Sequence, residues 1–178
     1  MRRAVRTAAG VAAVLFGAAA LAAPPHPPPT LKIPGKPDAT VAQASLLGAD
    51  ERDVRVENAA GDVTIYHGQA LLDVLEKAGL DVRTMASERE TAAAVVVATG
   101  RDGYTVVFSI GELAAARGNP RVFLVAEAGL EPLPEEQGPV RLIVHGEKAR
   151  SAYGLATIEL KYLARNSGKS SPKAPPKP

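Results

Sequence analysis

The chain has 178 residues, with 21 lysines and arginines against 19 aspartates and glutamates, and it contains no cysteine. The lack of cysteine excludes a disulfide framework, a thiolate nucleophile, an iron–sulfur cluster and every metal site that requires sulfur. With three phenylalanines, four tyrosines and no tryptophan, the chain also lacks a basic stripe with stacking aromatics, so no nucleic-acid partner is expected.

The first 23 residues have the three parts of a secretory signal peptide. Arg2, Arg3 and Arg6 form a short basic start, an uncharged apolar run follows, and the small-residue pattern Ala20-Leu21-Ala22 precedes the predicted cleavage. The apolar run is shorter than the roughly 20 residues of a spanning helix, so no stable membrane span is expected after cleavage. An uncleaved anchor is the alternative. The sequence therefore predicts a periplasmic or secreted protein.

Two further segments flank the predicted folded body, which spans residues 31–165. Residues 24–30 are a proline-rich linker, and residues 166–178 form a tail of mainly Pro, Ser and Lys that is expected to be disordered. Three basic residues lie in the signal and three in the tail. The remaining chain keeps 15 basic and 19 acidic residues, so the folded part is mildly acidic although the overall pI is near 9.0. Its length suits one ordinary core.

The body opens with an alternating pattern that is typical of a β-hairpin. Residues 53–57 and 62–66 alternate polar and apolar side chains, and the loop from Asn58 joins them, with Gly61 expected to have a positive φ. In the next segment the apolar residues recur at helical spacing, and Gly79 stands where the helix would end. These apolar residues are Leu71, Leu72, Val74, Leu75 and Ala78.

The rest of the body is predicted to consist mostly of strands. A polar loop at 80–91 is followed by five apolar segments that predict strands. These are residues 92–99, 104–108, 122–126, 139–145 and 155–162. Ser109 and Glu112 have the spacing of a capping box, which predicts a short helix through Ala116 that is ended by Gly118. This order of elements, with two helices, predicts an α+β domain that contains a mixed sheet or a distorted barrel.

Several short motifs occur in series in the second half of the chain. They are Asp102-Gly103-Tyr104, Ser109-x-x-Glu112-Leu113, Gly129-x-x-Pro132-Leu133, Gly138-Pro139-Val140-Arg141-Leu142-Ile143-Val144, Gly146 and the closing Ile158-Glu159-Leu160. The series resembles the oxidoreductase molybdopterin-binding domain of the sulfite oxidase superfamily, in which the phrases "DGY", "G-x-P-L" and "G-P-L/V-R-L-V-V-P-G" recur in this order. Residues 68–79 are similar to that family's "G-V-P-L-x-x-L-L-x-x-A-G" helix. The resemblance extends over roughly residues 31–160 and implies a fold of the molybdopterin-domain type.

The resemblance also implies a molybdenum site, which this chain cannot complete. In the catalytic members a cysteine thiolate binds molybdenum beside the two pterin sulfurs, in the stretch that corresponds to residues 53–68 here. Neither Ser nor Asn replaces a soft thiolate well. Those members also carry more sequence before this point, and often a Trp near the cofactor, where this chain has Arg150-Ser151-Ala152-Tyr153. No cofactor and no molybdenum catalysis are therefore expected, and molybdopterin binding without a protein thiolate is the alternative.

Four polar residues at strand ends and turns are candidates for a ligand site. His67 and His145 end predicted strands, and they are interpreted either as loop residues or as metal ligands or an acid–base pair. No acidic residue stands at ligand spacing from either histidine, so no metal site is predicted. Tyr104 is expected to pack its ring and bond its hydroxyl to a partner, and Asp102 is expected to set the turn through backbone bonds.

Arg141 is the fifth candidate, because it lies inside a predicted apolar strand. Burying its guanidinium unpaired would cost on the order of several kcal/mol, so an ion pair with Glu135, Glu136 or Asp102 is expected. An anion-binding role is the alternative. No residue is predicted to be catalytic.

Three functions are compatible with these features. The first, which we favour, is a cofactor-free binding or redox-accessory module that holds an unidentified protein partner or small ligand outside the cytoplasm. The second is a small oxidoreductase or subunit that binds the pterin cofactor without a protein thiolate. The third is a tethered structural domain with no small ligand.

Overall fold

A computed structural model of the chain describes residues 26–85 and 93–163, so the predicted signal peptide and tail lie outside the described residues. The described part contains ten strands and three α-helices. The strands are β1 (Thr30–Lys32), β2 (Ala39–Thr40), β3 (Arg52–Glu57), β4 (Val63–Ala70), β5 (Ala94–Gly100), β6 (Thr105–Ser109), β7 (Val122–Ala128), β8 (Glu131–Pro132), β9 (Arg141–Val144) and β10 (Leu155–Tyr162). The helices are α1 (Gln43–Leu46), α2 (Leu71–Lys77) and α3 (Ile110–Ala115), with 3-10 helices at Val82–Thr84 and Lys148–Arg150.

The strands form two five-stranded sheets. The first has the order β2-β1-β10-β5-β6, in which β1 and β10 are parallel and the other pairs are antiparallel. The second is antiparallel, with the order β3-β4-β7-β8 and with β9 also paired to β7. The fold is therefore α+β with one mixed sheet, as predicted. Neither sheet closes into a barrel within the described residues, so the barrel alternative is wrong.

The main hydrophobic core lies between the two sheets and the helices. Phe108 and Ile158 from the first sheet and Leu124 from the second are completely buried in this core. A smaller cluster on the other face of the second sheet contains Phe123 and Val125. Strand β7 is thus covered on both faces, which explains why its sequence is continuously apolar and not alternating.

The predicted hairpin and both predicted helices are present. The Asn58 side chain accepts hydrogen bonds from the backbone N–H groups of Ala60 and Asp62, and Gly61 has a φ of 91°. Gly79, with a φ of 97°, ends α2. Ser109 caps α3 by accepting a hydrogen bond of 3.0 Å from the Glu112 N–H.

Two features of the helices differ from the prediction. The Glu112 carboxylate accepts hydrogen bonds from Arg150, so it does not complete the capping box. Helix α1 was not predicted, because it is only one turn long and has no side-chain cap. It is fixed by burial of Leu46, which is 0% exposed.

Strand β4 is longer than the alternating pattern predicted. It continues through Ala70 because residues 66–70 pair with β7, which lies more than 50 residues away in sequence. Gly68 permits this pairing, since a Cβ built there would lie 2.0 Å from the Leu124 carbonyl oxygen. A register shift between His67 and Gly68 marks the same position as a β-bulge.

An ion pair between α2 and the end of α3 makes the stability of the fold dependent on pH. Arg117 donates to both carboxylate oxygens of Glu76, at 2.8 and 2.7 Å, and these bonds hold the pKa of Glu76 below its ordinary value of 4.5. A carboxylate with a lowered folded-state pKa stabilises the fold above its unfolded-state pKa. This contribution is lost as the pH falls through the folded-state pKa.

Glu76→Gln is therefore expected to lower the free energy of unfolding by about 0.5–1 kcal/mol at about pH 7. The difference from the wild type should shrink towards zero as the pH falls from 4.5 through the lowered folded-state pKa of Glu76, because the side chain is then protonated in both states. Urea unfolding at several pH values measures this, with substitution of the exposed Glu131 by Gln as control. A difference that stays constant with pH would show that the ion pair is not its cause.

Candidate functional site

The first polar cluster lies at the end of the β3–β4 hairpin that is remote from its turn. Asp53 is directly opposite His67 in the antiparallel register, so both side chains are on the same face of the sheet. Glu51 precedes Asp53 by two residues, which is the strand period that keeps a side chain on one face. The hairpin register therefore brings two carboxylates and one imidazole together.

The distances in this cluster are short. His67 Nδ1 lies 3.1 Å from Glu51 Oε1 and 3.1 Å from Asp53 Oδ1. The His67 side chain is 18% exposed, Glu51 is 30% exposed and Asp53 is 73% exposed. Despite the proximity, Nδ1 is buried and forms no hydrogen bond of acceptable geometry among the described residues. One ligand atom from each residue lies within 4.8 Å of the others.

This cluster corrects the expectation that no acidic residue stands at ligand spacing from a histidine. Glu51 and Asp53 are 16 and 14 residues from His67, so no local motif contains them. The proximity of Asp53 and His67 follows from the pairing of the two strands of the predicted hairpin. In the hairpin as it folds, Val54 is opposite Tyr66, and the next pair places His67 opposite Asp53.

Arg141 is the second polar feature, and it lies on the face of the second sheet that is away from the main core. It alternates with Leu142, which is in the main core, and shares its face with Ile143. The Arg141 side chain is almost fully buried, with 6% exposure of the residue. Its Nη1 donates to the Tyr66 hydroxyl at 2.7 Å and to Gln137 Oε1 at 3.0 Å.

The predicted ion pair of Arg141 is wrong. Among the described residues no carboxylate pairs with its guanidinium, because Glu135 and Glu136 are exposed and Asp102 bonds a backbone amide. The guanidinium instead lies between two aromatic rings, 4.8 Å from the Tyr66 centroid and 4.3 Å from the Tyr153 centroid. These contacts offset part of its desolvation.

One donor of Arg141 remains unpaired. Its Nε is buried and has no hydrogen-bond partner in the described part of the chain. Tyr66, Gln137 and Tyr153 were not singled out from the sequence. Tyr66 and Tyr153 are 75 and 12 residues from Arg141, and only the folded sheet brings them together.

Asp102 and Tyr104 have local structural contacts. Asp102 Oδ1 accepts a hydrogen bond of 2.9 Å from the Tyr104 N–H, which confirms that Asp102 sets the turn through a backbone bond. The Tyr104 hydroxyl donates to the Ala149 carbonyl, so the expected hydroxyl partner is backbone. Tyr104 is 45% exposed.

His145 does not join His67. It follows β9 as an exposed residue, and its backbone N–H donates to the Arg121 carbonyl at 2.7 Å. The two histidines lie at opposite ends of β7, since His67 is opposite Glu127 and Val144 is opposite Val122. Five residues of strand separate these positions by about 17 Å, so an acid–base pair of the two histidines is wrong.

A cavity of about 360 Å³ lies between α2 and α3. Its apolar lining includes Leu72, Leu113, Val122 and Val144. Four of the five charged residues that line it form ion pairs, Arg117 with Glu76, Arg121 with Glu147, and Glu112 with Arg150. The Glu112 and Glu147 carboxylates raise the pKa of the Arg150 guanidinium. The cavity therefore suits a small apolar group more than an anion.

Comparison with known protein families gives a match. The family model described as "Oxidoreductase molybdopterin binding domain" matches residues 40–165, which is more than half of the chain. The matched range contains both polar clusters and the cavity. No curated protein matches the chain significantly.

Proposed function

The chain belongs to the family of oxidoreductase molybdopterin-binding domains, as its motifs predicted. We propose that it is an exported binding module without molybdenum catalysis. The observation that carries the proposal is the chemistry of the available donors. The chain has no cysteine, although a thiolate is the protein ligand to molybdenum in the catalytic members. The stretch that would supply it forms β3, the hairpin turn and the first part of β4.

The polar side chains of this stretch do not fit a molybdenum–thiolate centre. Its buried or half-buried polar groups are the Tyr66 hydroxyl, which bonds Arg141, and the His67 imidazole, which faces Glu51 and Asp53. These are oxygen and nitrogen donors, and neither type replaces a soft sulfur ligand. We therefore derive no catalytic step through molybdenum for this chain.

The cavity between α2 and α3 supports a binding role. Its volume of about 360 Å³ is within the range of small-ligand sites, and an apolar lining with a charged rim is typical of them. A small ligand or an apolar side chain of a protein partner would contact Leu72 and Leu113 on entering it.

Elemental analysis of the native protein tests the absence of molybdenum catalysis. Protein purified from a host that makes the pterin cofactor is expected to contain far less than one molybdenum atom per chain. A homologous family member that has its cysteine, prepared from the same host, is the positive control. Stoichiometric molybdenum that survives purification would overturn the proposal.

A second function is favoured by two observations, the family match and the unpaired Nε of buried Arg141. It is a small oxidoreductase or subunit that holds the anionic pterin cofactor without a protein thiolate, and Arg141 would supply charge-assisted hydrogen bonds. Adding isolated cofactor should then raise the melting temperature, because a ligand that binds only the folded state stabilises it. No shift in melting temperature would exclude this function.

Export is part of the proposal and rests on residues 1–23. No helix among the described residues is long and apolar enough to cross a membrane. We expect the native chain in the periplasmic or secreted fraction, with an amino terminus near Pro24 by mass spectrometry. An intact Met1 in the membrane fraction would instead indicate an uncleaved anchor.

A further inference from the structure

We propose that Glu51, Asp53 and His67 form a binding site for one divalent cation of borderline softness, with the chemistry of Zn²⁺. This inference is independent of the proposed function, since it concerns another ligand and does not involve pterin. The three side chains come from β3, the residue before it, and β4, which are held in register by six residue pairs. The site is therefore built on paired strands.

The spacing of the donor atoms fits a tetrahedral ion. Zinc lies about 2.0–2.1 Å from nitrogen and oxygen ligands, so two ligands of a tetrahedral site are about 3.3 Å apart. The observed separations from His67 Nδ1 to the two carboxylate oxygens are both 3.1 Å. Two of the three donor separations therefore match this geometry, and the third, between the two carboxylate oxygens, is at most 4.8 Å.

The unpaired His67 Nδ1 is the second observation that points to a cation. This atom is buried, and it forms no hydrogen bond with either carboxylate, although one oxygen of each lies 3.1 Å from it. In the tautomer with the proton on Nε2, the Nδ1 lone pair lies beside two anionic oxygens, each 3.1 Å from the nitrogen, and this proximity is repulsive. A cation placed between the three atoms converts that repulsion into three bonds.

The surroundings of the cluster are acidic and partly preorganised. The Gly48 N–H donates to Glu51 Oε2 at 3.0 Å, which leaves Oε1 directed at His67. Glu127 occupies the position opposite His67 on β7 and adds a third carboxylate on that face. Within the described residues no Lys or Arg forms an ion pair with Glu51 or Asp53, so the His67 imidazole is the basic group nearest to both carboxylates.

The donor set selects the class of cation. An imidazole nitrogen with two carboxylate oxygens suits Zn²⁺ and similar transition ions, whereas Mg²⁺ and Ca²⁺ prefer oxygen-only sites. Three protein ligands leave the fourth tetrahedral position to water, and the 73% exposure of Asp53 gives solvent access to it.

Titration of the EDTA-treated native protein with Zn²⁺, followed by calorimetry, tests the site. We expect one Zn²⁺ per chain and a loss of affinity of at least about 100-fold in His67→Ala, because even residues behind a ligand contribute 10- to 100-fold. Asp53→Asn should give a similar loss. It changes a largely exposed side chain, so it keeps the test valid if His67→Ala does not fold.

His145→Ala is the matched control, since His145 is exposed and remote from the cluster. It should bind Zn²⁺ as the wild type does. With Co²⁺ as the probe, visible absorption bands of a tetrahedral nitrogen and oxygen site should appear in the wild type and His145→Ala and be lost in Asp53→Asn. Binding that is absent, or that is reduced equally by the His67 and His145 substitutions, would overturn the proposal.

Discussion

Gly68→Ala is expected to lower the free energy of unfolding by more than about 3 kcal/mol, at or above the upper end of ordinary overpacking. A Cβ at this position would lie 2.0 Å from the Leu124 carbonyl oxygen and 2.6 Å from the Val125 Cα. Both are backbone atoms in the central strand of the second sheet, so no side-chain rotation relieves the clash. The strands β4 and β7 would have to separate, which breaks their hydrogen bonds. Urea and thermal unfolding measure the loss.

Gly118→Ala is the matched control for this substitution. A Cβ there meets no atom within 4 Å, and Gly118 has no positive φ. Its stability should stay within about 0.5 kcal/mol of the wild type or rise slightly, because alanine reduces the entropy of the unfolded chain. If the two substitutions lowered the free energy of unfolding equally, the close approach of the Leu124 backbone to Gly68 would not be the cause of the loss.

Short sequence patterns correctly predicted the helices and strands whose own residues determine their structure. The α2 helix follows from apolar residues at helical spacing, and all of Leu71, Leu72, Val74 and Leu75 are buried. Strand β10 was predicted with the bounds Leu155–Tyr162 that it has in the structure. Helix α1 and the second half of β4 were missed, because their stability comes from residues that are distant in sequence.

The polar sites depended even more on distant residues. Arg141 was singled out because an arginine inside an apolar strand requires partners, and His67 was singled out because it ends a predicted strand. Their partners were not predicted correctly, since pairing across strands sets Asp53 beside His67, and Tyr66 and Tyr153 beside Arg141. A sequence reports that a polar group needs a partner, but the strand register determines which partner it obtains.

The second large effect is expected at Tyr66, since its hydroxyl accepts one of the two hydrogen bonds that the buried Arg141 donates. Tyr66→Phe should lower the free energy of unfolding by about 1.5–3 kcal/mol, the range for a hydrogen bond to a charged group. Tyr104→Phe is the control, because its hydroxyl bonds a backbone carbonyl at a 45% exposed position. If Tyr66→Phe lowers the free energy of unfolding no more than Tyr104→Phe does, the hydrogen bond to Arg141 is not an important source of stability.

Arg141→Met is expected to behave differently from Tyr66→Phe. Methionine has a similar volume and removes a buried charge that has no carboxylate partner, together with its unpaired Nε, so the free energy of unfolding is expected to stay equal or rise. In the double variant the loss of stability caused by Tyr66→Phe should largely disappear, which a double-mutant cycle reports as a coupling energy.

If Arg141→Met is as stable as the wild type, folding does not require the guanidinium. The cofactor hypothesis then offers a reason for its presence, since a charge that destabilises the free protein is stabilised by an anionic ligand. A large loss of stability in Arg141→Met would assign Arg141 to the fold and remove one of the two observations that favour cofactor binding.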